Sequence, residues 1–232
     1  MDIKEKIVRL YDRLFSGDRI TRDMACDEAM QLLEEIDDER QKNEVRRVVV
    51  LHLIDAERYA NALLCIEGMI KSTEYYYKIL GYRAYIEYCK KTDISKLEEG
   101  LQSAVDCARQ EGNKMDIAFG IYEYAKYKYL DGRYDECIKD LGNVIVLAEE
   151  LHNTRIELDA KYYTALALDK KGEKYMALEL LRDISNKAYE AHSQGTAMFS
   201  EIKRASILKE VGRADEALEI IGQWCDNFET QI

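Results

Sequence analysis

Three stretches carry the fold: G-R-Y-D-E-C-I at Gly132 to Ile138, G-E-K-Y-M-A-L at Gly172 to Leu178, and G-R-A-D-E-A-L at Gly212 to Leu218. They stand 40 residues apart, twice over. A further step of 40 back gives T-D-I-S-K-L-E, Thr92 to Glu98, with Leu97 in the anchor place. Earlier still, E-R-Y-A-N-A-L at Glu57 to Leu63 has the same shape after 35 residues, and a poorer copy surrounds Ala25. A fixed period of this size marks a repeat array rather than a single globular core.

Each copy reads as two amphipathic helices. Around the first stretch, a helix from about Met115 to Leu130 ends at Asp131-Gly132, where glycine suits a left-handed C-terminal cap. The next helix starts near Tyr134. Asp135-Glu136, like Asp215-Glu216, then lie in a first turn, at the positive end of the helix dipole. Apolar residues follow at i, i+4, i+7 and i+8: Cys137, Leu141, Val144 and Ile145, and in the second copy Ala62, Ile66, Met69 and Ile70. The fifth and sixth copies give Ala177, Leu181 and Ile184, then Ala217, Ile221, Trp224 and Cys225. No segment keeps a two-residue alternation. The expected fold is all-α, a right-handed solenoid of about six hairpins in one domain over 1–232. The hairpins span approximately 2–37, 40–72, 74–110, 113–151, 153–190 and 193–229.

Composition agrees with this. Of 232 residues, 47% are hydrophobic and 34% charged, enough for a core and too apolar for a disordered chain. There is no proline, where average usage would give about a dozen, so long helices can run uninterrupted. The net charge of −11 disfavours binding to a phosphate backbone, so no nucleic-acid partner is expected. The start, M-D-I-K-E-K, is charged and does not read as a signal peptide. The longest apolar run, Val48 to Ile54, is far short of the ~20 residues of a membrane span, so no membrane association is expected. Six scattered cysteines without C-x-x-C suit buried free thiols in a reducing cytoplasm, the expected compartment.

The chain resembles the tetratricopeptide repeat (TPR) family. The resemblance rests on a small residue midway along the first helix (Ala125, Ala165, Ala205), the glycine turn (Gly132, Gly172, Gly212), and a small anchor in the second helix (Ala62, Cys137, Ala177, Ala217). It departs from the usual period of about 34 residues, and it lacks the closing proline. Longer helices of this kind look like the TPR-like domains of bacterial regulators such as peptide-pheromone receptors. The resemblance implies a non-catalytic scaffold that binds a protein or peptide on a concave face lined by the first helices. Two other roles stay open: a ligand- or peptide-sensing regulatory module of a bacterial signalling or transcription system, and a structural assembly unit acting through its terminal edges.

The residues of that face can be projected. In the fourth copy Phe119, Tyr122, Lys126 and Tyr129 lie at i, i+3, i+7 and i+10. Adding 40 gives Asp159, Tyr162, Leu166 and Asp169; subtracting 40 gives Ile79, Tyr82, Ile86 and Cys89. Tyr82, Tyr122 and Tyr162 would then form a column, with Lys90, Lys126 and Lys170 beside it. Tyrosine supplies contact area at low entropic cost, which suits peptide capture. Eleven of the 17 tyrosines fall between Tyr75 and Tyr134, however, so inner-face packing explains such a column equally well. Some family members clamp a C-terminal carboxylate with lysine, asparagine and arginine. Here Ile86, Leu166 and Ser206 stand where asparagine would help, which disfavours such a clamp.

Other chemistry is poorly supported. His52, His152 and His192 fall in different repeats, outside any metal-binding pattern. The run Glu34 to Glu39 lacks the alternating ligands and glycine of a calcium loop. Phosphate-loop, dinucleotide and nucleophile-elbow motifs are missing, so neither cofactor, metal nor catalysis is expected. At the C-terminal end, Ile220, Trp224 and Phe228 form a candidate apolar edge for a homodimer or partner. Ile221 and Trp224 are expected to face inward, and Ile220 and Phe228 to stay exposed.

Overall fold

The computed structural model describes residues 3–229, with the side chains of residues 16 and 224–229 outside the description. Among the described residues there are twelve α-helices and no strand. They are α1 (Ile3–Ser16), α2 (Arg19–Glu35), α3 (Glu39–Asp55), α4 (Tyr59–Ile70), α5 (Tyr75–Thr92), α6 (Leu97–Glu111), α7 (Lys114–Leu130), α8 (Tyr134–Glu150), α9 (Thr154–Lys170), α10 (Lys174–Glu190), α11 (Gln194–Glu210) and α12 (Ala214–Glu229). A 3-10 turn, Ile94–Lys96, precedes α6. The chain divides into two compact units, Met1–Gly112 and Asn113–Ile232.

The 40-residue period resolves into two equal halves. Helices α7 to α11 each have 17 residues and are joined by three-residue turns. One residue of each of these turns is left-handed, Gly132, His152, Gly172 and His192, and Gly112 before α7 and Gly212 after α11 continue the series, 20 residues apart throughout. The hydrogen bonds are those of a Schellman cap, such as Gly132 N–H to Tyr129 O at 3.2 Å and Arg133 N–H to Lys128 O at 2.9 Å. The same pair recurs after α8, from His152 to Glu149 O and from Asn153 to Ala148 O. Asn113 and Asn153 then cap α7 and α9 with their side chains.

Within the second unit the helices form two layers. The first helices α7, α9 and α11 touch in succession, whereas no comparable contact joins α8 to α10 or α10 to α12 among the described residues. The layer of α7, α9 and α11, whose members approach each other more closely, is termed the inner layer. Ala125, Ala165 and Ala205 are buried midway along these helices, and Cys137, Ala177 and Ala217 are buried on their partners. Small side chains let the helices approach, and Leu141, Leu158, Leu181, Ile184 and Ile207 fill the space between them.

The first unit repeats the plan with α1, α3 and α5 in one layer. Its core joins Leu10, Leu14, Val49, Leu53, Ala62, Ile66 and Met69. Gly81 allows α5 to lie against the end of α4, because a Cβ there would sit 2.9 Å from the Ile70 backbone nitrogen.

Candidate functional site

One face of the inner layer of the second unit stays open. On α7 it runs through Met115, Phe119, Tyr122, Lys126 and Leu130, all exposed or half-buried. On α9 the same places hold Arg155, Asp159, Tyr162, Leu166 and Lys170, and on α11 Gly195, Phe199, Ile202, Ser206 and Glu210. Steps of 4, 3, 4 and 4 return a helix close to its starting angle. Phe199 and Ile202, 58% and 57% exposed, extend the apolar face onto a third helix. The sequence reading missed both, although a second addition of 40 to Phe119 and Tyr122 points to them.

Tyrosines lie between α7 and α9, with Tyr163 at their centre. Its ring stands edge-on to Tyr122 and Tyr129, each at 5.8 Å between centroids, and to Tyr162 at 6.3 Å. Lys126 Nζ lies 5.1 Å from the Tyr122 centroid and 2.8 Å from the Glu123 carboxylate, which neutralises it. Burial pushes the Tyr122, Tyr129 and Tyr162 hydroxyls up from their ordinary pKa. Burial also raises Asp159, against the opposing pull of Arg155 and Lys126.

Several sequence expectations need correcting here. Tyr129 does not continue the open face: it packs against Tyr134 and Tyr163, while exposed Leu130 takes that place. Likewise Asp169 is buried, and Lys170 is exposed. A step of i+10 leaves the stripe by about 80°, whereas i+11 returns to within about 20°.

In the first unit the step of 40 fails by one residue. Ile86 is 5% exposed, and Ile79 and Cys89 are buried with it. Tyr82 is half-buried, and burial raises its hydroxyl pKa. The open positions of α5 are Tyr76, Leu80, Arg83, Glu87 and Lys91, which match the α7 stripe after a step of 39. The cause lies in the turn. Thr92 stands where later repeats have glycine, and α5 instead ends at Asp93, whose carboxylate accepts from Ser95 and starts the 3-10 turn. One residue of slip rotates a helix face by about 100°. Tyr82 therefore occupies a different register from Tyr122 and Tyr162.

The terminal edge is also redrawn. Ile220 is buried, at 8%, in the core of the second unit, and Ile221 is 51% exposed, the reverse of the expectation. Ile220 follows Ala217 by three residues and faces α11. Leu218 and Ile221 are the equivalents of Leu178 and Leu181, which α11 covers. Leu218 is 66% exposed, against 7% for Leu178. Trp224 and Phe228 have side chains outside the described residues.

Charged groups buried between the helices act as fasteners. Glu157 on α9 accepts from Lys161 and from Lys187 on α10. Asp169 accepts from Lys174 on α10 and lies 2.8 Å from Lys203 on α11. Lys128 on α7 holds Asp140 on α8 at 2.7 Å. The described cysteines Cys26, Cys65, Cys89, Cys107 and Cys137 are buried and outside any disulfide, and burial raises Cys65 to about 12 and Cys137 to about 11, so neither of these two is a ready nucleophile. His52 packs edge-on against Phe15 at 4.9 Å, and burial lowers its pKa. Phe15 also stacks on Tyr11 at 4.4 Å, and both rings, like Val8 on the same helix, are exposed. No described helix is long and apolar enough to cross a membrane.

No protein-family model and no curated protein matches the chain. Solved structures do. The signal transduction ATPase with a tetratricopeptide repeat sensor from Pyrococcus horikoshii superposes with a TM-score of 0.75 at 13% identity, over 97% of this chain and 36% of that one. The apo form of RapI gives 0.72 at 10% identity, with 95% of each chain covered. A putative kinesin light chain from Podosopora anserina with TPR-like repeats gives 0.65 at 14% identity, over 80% of this chain and 94% of that one. The fold is therefore the TPR-like helical repeat, an all-α solenoid of six hairpins. These likenesses are of architecture.

Proposed function

We propose that the protein is a non-catalytic scaffold that binds a protein or peptide along the inner face of α7, α9 and α11. The observation that carries this is the strip Phe119, Tyr122, Tyr162, Phe199 and Ile202, in which Phe199 and Ile202 stay more than half exposed. Interior packing leaves no reason for large apolar groups on the open side of the inner layer, and contiguous exposed apolar groups mark interaction sites. The neighbours include a TPR sensor and RapI, which agrees with a regulatory, ligand-sensing version of the same role. The strip is an open surface, better matched to an extended or helical segment than to an enclosed small molecule.

The test is a peptide library displayed on phage and panned against the full chain. Selected peptides should lose binding to Phe199→Glu and to Ile202→Glu. They should keep binding to Leu218→Glu, which alters the terminal edge. If no selected peptide depends on Phe199 or Ile202, the strip is not a binding surface.

A second reading, assembly through the terminal edge, is favoured by exposed Leu218 and Ile221 on α12. Light scattering at tens of micromolar separates the two. A dimer that Ile221→Glu converts to monomer supports the edge, and a monomeric wild type removes its homodimer form.

A further inference from the structure

The covered carboxylates of the second unit fall into two groups. Glu157, Asp169 and Glu201 are each satisfied by lysine or arginine: Lys161 and Lys187, Lys174 and Lys203, and Arg204. Asp159 is partly covered, yet it makes no hydrogen bond or ion pair among the described residues. It stands in the middle of the strip, on the central helix α9. The matching place is Phe119 on α7 and Phe199 on α11, and Tyr162 follows one turn along. Tyr122 lies close enough for the two groups to interact electrostatically. A half-desolvated carboxylate among aromatic rings costs free energy unless a positive group joins it.

Two cations face Asp159. Lys126 is held by Glu123 at 2.8 Å. Arg155, one turn earlier on α9, is exposed and forms no ion pair. Neither closes on the carboxylate. Its surroundings, rings whose negative faces attract cations and a carboxylate to pair with, suit a guanidinium or ammonium group.

We propose that Asp159 is the specificity determinant of the strip, and that it receives an arginine or lysine side chain of the bound peptide while Phe119, Tyr122, Tyr162 and Phe199 hold the flanking apolar residues. This rests on the strip being the binding surface. The net charge of −11 adds a longer-range preference for a basic partner.

The same phage library tests it. Peptides whose binding Phe199→Glu abolishes should share one arginine or lysine with apolar residues on either side. A synthetic copy of the best peptide should bind Asp159→Asn about tenfold or more weakly. Replacing its basic residue with citrulline or norleucine should cost a similar factor on the wild type and almost nothing on Asp159→Asn. Arg155→Ala should tighten binding, because a competing cation is removed. Panning on Asp159→Lys should return an acidic residue at the same place. Thermal melts of Asp159→Asn within a few degrees of wild type show that folding is intact, and Arg155→Ala gives a readout that misfolding cannot imitate. Strip-dependent peptides without a basic residue, or indifferent to Asp159→Asn, overturn this proposal and leave the binding surface standing. If no strip-dependent peptide emerges, both fall.

Discussion

Lys203 on α11 reaches back past its own hairpin to Asp169 on α9, 2.8 Å from ammonium to carboxylate. Asp169 also accepts from Lys174 on α10, so one buried carboxylate ties three helices of the second unit together. Burial alone would raise its pKa, but the two lysines outweigh burial and hold it below the ordinary 3.8. Glu157, buried between Lys161 and Lys187, is likewise held below 4.5. A depressed carboxylate pKa contributes stability that is fully present above the unfolded value and is lost as pH falls through the folded value. Urea unfolding of the full chain should therefore give a constant midpoint above about pH 5.5 and a falling one below about pH 4. Lys203→Met should lower the midpoint at neutral pH and make the acid loss smaller and complete at a higher pH, because the folded pKa of Asp169 moves up toward an unchanged unfolded value. Lys174 remains, so the cost should fall below the ~3–5 kcal/mol of a stranded buried charge.

Tyr163, not Tyr122, holds the tyrosine group together, with three edge-on ring contacts. Tyr163→Ala should cost about 2–3 kcal/mol, from lost burial and ring pairing. Tyr122→Ala should cost less, and less than Leu141→Ala, where a fully buried side chain is expected to cost ~2–5 kcal/mol. Chemical denaturation of the three variants sets the order. A Tyr122→Ala loss equal to that of Leu141→Ala would make Tyr122 core rather than surface.

His152 and His192 occupy left-handed positions, at φ of 51° and 55°, that glycine fills in the neighbouring turns. A side chain there costs roughly 1–2 kcal/mol, while glycine adds unfolded-state entropy of about 0.5–1 kcal/mol. His152→Gly should stabilise the protein by up to about 1 kcal/mol, and Gly132→Ala should destabilise it by about as much. Thermal melts read both directly.

Two glycines inside helices should respond in opposite directions to alanine. Gly142 on α8 is exposed and has open space at its Cβ position, so Gly142→Ala should stabilise by about 1 kcal/mol through helix propensity. At Gly81 on α5 the added methyl would meet the Ile70 backbone at 2.9 Å. There the clash should exceed the propensity gain, and Gly81→Ala should lower the melting temperature.

The sequence by itself determined the repeat. The Gly132, Gly172 and Gly212 turns and the apolar spacing after Cys137 and Ala177 are local properties of helices and caps, legible from spacing alone. It also placed Tyr122, Tyr162, Lys126 and Leu166 on one face. Tertiary structure decided the rest. A stripe followed to i+10 instead of i+11 misplaced Tyr129, and a turn without glycine after α5 shifted Ile86 into the core by one residue. Whether Ile220 or Ile221 is covered depends on which helices lie on either side of α12, a long-range fact that helical period cannot carry. Asp159 differs from Asp169 only in what stands opposite. One carboxylate meets lysines from two other helices, and the other, partly covered beside Tyr122, has no ion pair or hydrogen bond among the described residues, and that contrast exists only once the hairpins are stacked.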